Sequence, residues 1–194
     1  THIASRSSVL LSADTAYFPR DRVQIRPRHE FPPLADLWIV MAVDPAISVK
    51  NWADYSAIAV VGFDAHNHLW VLDWRRGRWP ESELIAQLYD AHDRITFKGG
   101  TIRSIGFENV GFAKIYRRLF SSEGENRGHY LPVVALERDT KITKNTRIRA
   151  LEPPWSAGEI TFDASCPSLE DGLEEAERFR PDRESAHDDL LDSL

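Results

Sequence analysis

Short apolar runs in the first half of the chain predict three consecutive β-strands. LWIVMAVDPA (37–46) is almost wholly apolar and ends at Asp44-Pro45, which is typical of a strand buried on both faces and stopped by proline. DYSAIAVVGFD (54–64) and HLWVLDWRRG (68–77) predict the next two strands. The polar turn between them is short enough for a hairpin, so we expect an antiparallel meander. Trp38, Trp70 and Trp74 lie on these strands, and we expect them in the core.

Beyond residue 78, helical spacing alternates with short apolar runs, which predicts helices and strands in turn. Strands are predicted at TIRSIGFENVG, YLPVVALE and GEITF (101–111, 130–137 and 158–162). Helices are predicted to begin near Trp79, Phe112, Thr143, Ser168 and Ser185. Ser168 with Asp171 resembles a capping box.

This order of elements predicts an α/β fold, a mixed central sheet with helices on both faces. The parallel strands of such a sheet present ligands at their carboxyl ends. Residues 1–36 mix arginines and prolines without a period, and we interpret them as an N-terminal arm or interdomain linker before a domain at 37–194.

Composition supports one domain with a real core, because 42% of the 194 residues are hydrophobic and six are tryptophan. The single Cys166 excludes an internal disulfide framework, and we see neither a membrane-spanning run nor a secretory signal. The chain begins at Thr1, so we expect a fragment of a longer protein.

Charge is polarised along the chain although the net value is only −6. Residues 170–194 carry ten acids and three arginines, whereas residues 138–149 carry five bases and one acid. Within the acidic part, HDDLLDSL (187–194) crowds three aspartates onto a helix-like stretch, where they repel one another unless water or a cation compensates.

Carboxylates at three separate places suggest a metal site. Asp44 and Glu108 end predicted strands, and parallel neighbouring strands about 4.8 Å apart would place both at one edge. The closing helix would add Asp188 or Asp189. Such oxygen sets suit Mg²⁺ or Mn²⁺, and two ions together can hydrolyse a phosphodiester. Each of these acids also has a simpler interpretation. Asp44 could merely end a strand, Glu108 could belong to a turn, and the aspartates of the closing helix could form a solvated helix face.

The segments VDPA, DYSAIAVVG, GFENVG, GEITF and HDDLLDSL, in this order, resemble the C-terminal nuclease domain of the large terminase subunit of tailed bacteriophages. The resemblance covers roughly residues 36–194. It implies an RNase H-like fold and an endonuclease that cuts double-stranded concatemeric DNA during genome packaging with one or two Mg²⁺ or Mn²⁺ ions. It also implies that the protein is located in the cytoplasm of the infected bacterial host.

The same resemblance implies which residues bind metal. These are Asp44, Glu108 and one aspartate of the pair Asp188 and Asp189, of which we favour Asp189. His187, Asp192 and Asp54 are possible outer-shell groups, although helix or strand-end capping is an equally good interpretation of His187 and Asp54.

The resemblance also implies partners. No phosphate-binding loop of the Gly-x-x-x-x-Gly-Lys-Ser/Thr type occurs, so the packaging ATPase domain of the same polypeptide would be absent from this sequence. The portal protein and the small terminase subunit are expected partners, and no membrane is.

A protein that binds double-stranded DNA needs basic side chains that contact the phosphates. Phosphate contacts carry no sequence information, so we expect little sequence preference. The candidates, whose alternative is a solvated face, are Arg75, Arg76, Arg78, Lys141, Lys144, Arg147 and Arg149. Another RNase H-like nuclease, such as a junction resolvase or an RNA–DNA hybrid nuclease, and a non-catalytic DNA-docking module are the alternative functions.

Overall fold

A mixed sheet forms the centre of the molecule. The structure, a computed structural model, describes residues 16–46, 55–108, 113–136, 142–182 and 189–194. The strands in these ranges are β1 (Gln24–Arg26), β2 (Trp38–Asp44), β3 (Ser56–Phe63), β4 (Leu69–Gly77), β5 (Ile102–Glu108), β6 (Val133–Leu136) and β7 (Ile160–Asp163). These seven strands lie in the order β1-β7-β4-β3-β2-β5-β6.

The pairing of these strands confirms the predicted mixed sheet and its meander. β2 pairs antiparallel with β3, and β3 pairs antiparallel with β4. The flanking pairs β2–β5, β5–β6, β4–β7 and β1–β7 are all parallel. The meander is therefore the centre of the sheet, and parallel strands extend it at both edges.

Helices cover both faces of the sheet, as predicted. They are α1 (Glu81–Phe97), α2 (Ala113–Arg127), α3 (Lys144–Arg149), α4 (Glu152–Ser156), α5 (Leu169–Arg178) and α6 (Asp189–Asp192), with short 3-10 turns at Arg20–Arg22, Arg28–Glu30 and Leu34–Asp36. None of the helices in the described ranges is both long and apolar enough to cross a lipid bilayer.

The pleat of the strands divides the buried side chains into two cores. On one face, Met41 and Ile58 pack with residues of α1 and α2. On the other face, Ala57 and Ala59 pack with residues of α3, α4, α5 and α6, including Leu190. The closing helix thus belongs to the face opposite α1 and α2.

Three local predictions were wrong. β2 is not buried on both faces, because its residues alternate between buried and half-buried positions. Trp38 at its start is 59% exposed and carries the Arg103 guanidinium over its ring, so it lies outside the core. Ser168 precedes α5 but makes no capping bond. Its hydroxyl instead accepts a hydrogen bond from the backbone N–H of Arg76 in β4 at 3.1 Å. This bond links the start of α5 to the sheet.

Part of the segment interpreted as an arm packs against the domain. β1 extends the sheet beside β7, and Phe18 is fully buried with its ring 5.1 Å from that of Trp155 and 5.5 Å from that of Phe179. The division of the chain at residue 36 stays a prediction.

Candidate metal centre

Asp44 and Glu108 end two strands that are parallel neighbours. β2 pairs with β5, and Val43 lies opposite Phe107, so Asp44 and Glu108 occupy the next positions at the carboxyl ends. The predicted adjacency of these two strands is confirmed. The side chain of Glu108 lies outside the described part of the structure, and its role as a ligand stays a prediction.

The chain around Asp44 is held in place by β3. Asp44 lies opposite Ala57 in the antiparallel pair, and its side chain is half-buried. Directly after the strand, the Ala46 N–H donates to the hydroxyl of Ser56 at 3.0 Å. These contacts fix the backbone at the edge of the sheet where the carboxylate stands.

Helix α6 lies on β3 and β4, on the face where Ala57 is buried. Leu190 and Leu191 are buried in the same core as Ala57. The Trp74 indole N–H donates to the Leu190 carbonyl at 3.0 Å, and the Leu190 N–H donates to Glu175 Oε2 at 3.1 Å. Asp189, the first residue of α6, is thus brought to the sheet that carries Asp44.

Glu175 is a buried carboxyl that joins three elements. It lies on α5, accepts the backbone N–H of Leu190 and pairs with Arg76 of β4. Burial raises the pKa of Glu175 to about 7, although the Arg76 charge and the backbone hydrogen bonds act in the opposite direction. Because its partners come from β4 and α6, Glu175 fixes the position of the closing helix.

The acidic closing helix pairs with the basic helix α3. Lys144 Nζ lies 3.1 Å from Asp189 Oδ1. Arg147 donates two hydrogen bonds to Asp192, at 2.7 Å and 3.1 Å, and the Asp192 side chain is only 1% exposed. The basic residues of α3 therefore neutralise part of the acidic closing helix within the molecule. Lys144 and Arg147 are thus not available only for DNA.

The arginines after the meander are also engaged. Arg75 binds Asp73 at 2.9 Å and Gln87 at 3.0 Å. Arg76 pairs with Glu175, and its guanidinium lies 4.9 Å from the centre of the Tyr55 ring. Arg78 lies 4.5 Å from the same ring. Arg75 and Arg76 therefore have structural partners that the sequence did not reveal.

Asp54, Lys141, His187 and Asp188 lie outside the described residues. Arg149 is described and exposed at the end of α3.

Two candidate ligands lie on elements that both contact β3, since β2 pairs with it and α6 packs on it. Asp44 and Asp189 supply carboxylate oxygens, which Mg²⁺ and Mn²⁺ prefer, and both are half-buried. Lys144 pairs with Asp189 and offsets part of the charge of that carboxylate. A metal role for Asp44 and Asp189 stays a prediction.

A second group of metal-binding side chains gave no signal in the sequence. His92, Asp93 and His129 offer donor atoms that all lie within 4.8 Å of one another. Asp93 and His129 are 36 positions apart, and no motif of zinc-site spacing connects them.

No protein-family model and no curated protein matches this sequence. Solved structures do resemble the fold. The large terminase nuclease from thermophilic phage G20c with bound cobalt superposes with a TM-score of 0.62 at 15% identity, covering 93% of this chain and 95% of that chain. The Mn-soaked terminase nuclease domain of human cytomegalovirus gives 0.57 at 13% identity, covering 91% of each.

The large terminase of bacteriophage HK97 gives a TM-score of 0.54 at 14% identity, covering 80% of this chain and 35% of that chain. At these identities the likeness concerns the fold. The RNase H-like fold of this chain is thus the fold of large terminase nuclease domains.

Proposed function

We propose that this chain is a metal-dependent endonuclease that cuts double-stranded DNA. One observation carries the proposal: parallel strands place Asp44 and Glu108 at adjacent carboxyl ends, and α6 brings Asp189 to the same sheet. Carboxylates from separate elements would repel one another there without a cation. The likeness in fold to nuclease domains solved with cobalt or after soaking in manganese supports the proposal.

Each residue has a part in the proposed mechanism. Asp44, Glu108 and one of Asp188 and Asp189 would hold one or two Mg²⁺ or Mn²⁺ ions. When bound, such ions supply activation of water for attack on phosphorus and neutralisation of charge on the leaving oxygen. Lys144 orients the Asp189 carboxylate through their 3.1 Å contact. No covalent intermediate with the protein is required.

DNA would be held through its phosphates, with little sequence specificity. Arg78 and Arg149 are the best of the described candidates, since Arg75 and Arg76 have partners within the fold. Lys141, Lys144 and Arg147 remain candidates, the last two with ion pairs to the closing helix. Binding should weaken steeply as salt increases.

Plasmid cleavage in Mn²⁺ tests the proposal. Asp44→Asn should lower the cleavage rate at least about 100-fold, because a neutral amide is a poorer ligand for a hard cation. Asp36→Asn, which changes an exposed aspartate eight positions earlier, is the matched control and should cut like wild type. Comparing Asp188→Asn with Asp189→Asn identifies which of the pair binds metal; we expect Asp189.

Equal cutting by wild type and Asp44→Asn would reject the assignment. If neither wild type nor any variant cuts, but wild type binds DNA in a salt-dependent way, the chain is a DNA-docking module. Preference for a four-way junction or an RNA–DNA hybrid over duplex DNA would instead assign it to another class of RNase H-like nuclease.

We further propose that the chain works as part of a genome-packaging motor. It spans 35% of the HK97 large terminase chain, which fits a nuclease portion attached to a packaging ATPase domain in one polypeptide. The portal protein and the small terminase subunit would then be its partners, in the cytoplasm of an infected bacterium. Co-purification of the full-length protein with its portal protein tests this setting.

A further inference from the structure

A compact group of imidazole and carboxylate donors lies on the face of the sheet opposite α6. His92 and Asp93 belong to α1, and His129 lies two residues beyond α2. Asp93 Oδ1 is 3.2 Å from His92 Nδ1 and 3.0 Å from His129 Nε2. The two imidazole rings stack with centroids 5.5 Å apart and planes inclined by 25°.

The hydrogen bonding of His129 leaves one ring nitrogen without a partner. Nδ1 lies 3.4 Å from the Arg127 carbonyl oxygen, which only accepts, so Nδ1 carries the proton of the neutral ring. Nε2 then presents a lone pair. This atom is buried without a hydrogen-bond partner, although Asp93 Oδ1 lies 3.0 Å away. A proton on Nε2 would therefore be a buried donor without a hydrogen bond, whereas a metal ion could contact Nε2 and Asp93 Oδ1 together.

The charges around the group favour a cation. Arg127 contacts three carboxylates, those of Asp90 at 2.8 Å, Asp93 at 3.2 Å and Glu123 at 2.7 Å. One guanidinium therefore faces three acids, so a deficit of positive charge remains beside the imidazoles. Arg127 holds the other oxygen of Asp93, Oδ2, which leaves Oδ1 directed at both rings.

We propose that His92 Nδ1, Asp93 Oδ1 and His129 Nε2 form a second metal site, one that takes Zn²⁺ or a similar transition-metal ion. Ligands about 2.0–2.1 Å from a tetrahedral zinc ion lie about 3.3 Å from one another, close to the two Asp93 distances. Imidazole ligands favour zinc or cobalt over Mg²⁺, so this site differs in metal preference from the carboxylate centre. A water molecule would complete the coordination.

The site would have a structural role. Its ligands join α1 to the segment that connects α2 with β6, and β6 pairs with β5, which ends at Glu108. An ion bound there would stabilise the folded chain, because it binds the folded state and not the dispersed ligands of the unfolded one.

Zn²⁺ titration by calorimetry tests the proposal, in an Asp44→Asn background that weakens the carboxylate centre. The background protein should bind one equivalent of Zn²⁺. Adding His129→Gln or His92→Gln should weaken that binding at least about 100-fold, whereas adding His66→Gln, at an exposed position in the β3–β4 turn, should leave it unchanged. At a hundredfold excess over Kd, Zn²⁺ should raise the Tm by about 5–10 °C, and this rise should vanish with His129→Gln.

The result that would overturn the proposal is equal Zn²⁺ affinity with and without His129, or no Zn²⁺ binding at 100 times the protein concentration. In either case a proton occupies the space between His129 and Asp93, and the group is an ion pair. Co²⁺ absorption of the unsubstituted chain is a readout that needs no variant to fold. Intense visible bands of a tetrahedral ion support the site, and their absence contradicts it.

Discussion

The indole N–H of Trp74 donates a hydrogen bond to the carbonyl oxygen of Leu190 at 3.0 Å, although the two residues are 116 positions apart. Trp74 is fully buried in the centre of the sheet, and Leu190 follows Asp189 directly. The contact therefore links a core residue of the meander to the helix that carries a proposed metal ligand. Removing this hydrogen bond should therefore both destabilise the core and disturb the geometry of the candidate metal centre.

Trp74→Phe should destabilise the protein by about 2–3 kcal/mol, because it removes the indole donor and leaves unfilled volume in the core. It should also lower Mn²⁺-dependent cleavage below the wild-type rate under conditions where the variant remains folded. Urea denaturation measures the first effect. Trp38→Phe, at a ring that is 59% exposed, is the control and should change stability by less than about 0.5 kcal/mol.

Gly172→Ala should destabilise the protein by about 1–3 kcal/mol, although alanine is intrinsically the better helix former. A Cβ at this position of α5 would collide with the buried ring of Trp74, which cannot move away. Gly124→Ala in α2 is the matched comparison, since its Cβ would mainly meet Tyr130, a ring that is 66% exposed and can shift. Thermal unfolding of both variants checks the order, which would be contradicted by a larger loss at Gly124.

Arg147→Gln should cost about 3 kcal/mol in the free energy of unfolding, because it removes a two-bond partner from a carboxylate that is 1% exposed. Arg149→Gln, two positions later and exposed, should cost less than about 0.5 kcal/mol. Measuring the DNA affinity of both variants at one salt concentration distinguishes a loss of stability from a loss of DNA binding. Similar losses of stability in both variants would show that the Asp192 ion pair is unimportant.

The stability of the chain should fall at acidic pH partly through His68. Burial lowers the pKa of this half-buried imidazole from its ordinary value of 6.5, against the opposing charges of Asp64 and Glu159. The unfolded chain therefore binds more protons than the folded chain once the pH falls below about 6.5. This contribution to stability is complete above that pH and is lost as the pH falls through the folded value.

His68→Gln should consequently lose less stability than wild type between pH 7 and pH 5, in urea titrations at several pH values. The glutamine can still reach Thr161, whose hydroxyl lies 2.8 Å from His68 Nε2. His66→Gln, exposed in the same turn, controls for simple loss of an imidazole and should follow the wild-type curve. A wild-type pH dependence in His68→Gln would contradict the assignment.

Most elements of the fold could be predicted because their signals are local. The hairpin of β3 and β4 needs only one short polar connection, and α1 follows its apolar spacing up to Ile95. The capping box at Ser168 failed because tertiary structure gave its hydroxyl another partner, the Arg76 N–H. Burial of Trp38 was overestimated because a residue at the start of a strand can point away from both cores.

The site could be predicted only in part. Adjacency of Asp44 and Glu108 followed from strand ends and order, since parallel strands align their carboxyl ends. The partners of Arg75, Arg76 and Arg147 could not be predicted, because charge runs do not reveal which acid each side chain meets. The pairing of His129 with Asp93 left no trace in the spacing of the sequence.

By itself, the sequence determined the types and order of the elements and the strand ends at which the acids stand. The spacing of apolar residues, the positions of prolines and the runs of charge are local features, so they are visible along the chain. Only the tertiary structure decided which basic residues neutralise the closing helix, and that two histidines meet one aspartate. Those contacts depend on how helices dock on the sheet, and docking is set by packing among residues far apart in the chain.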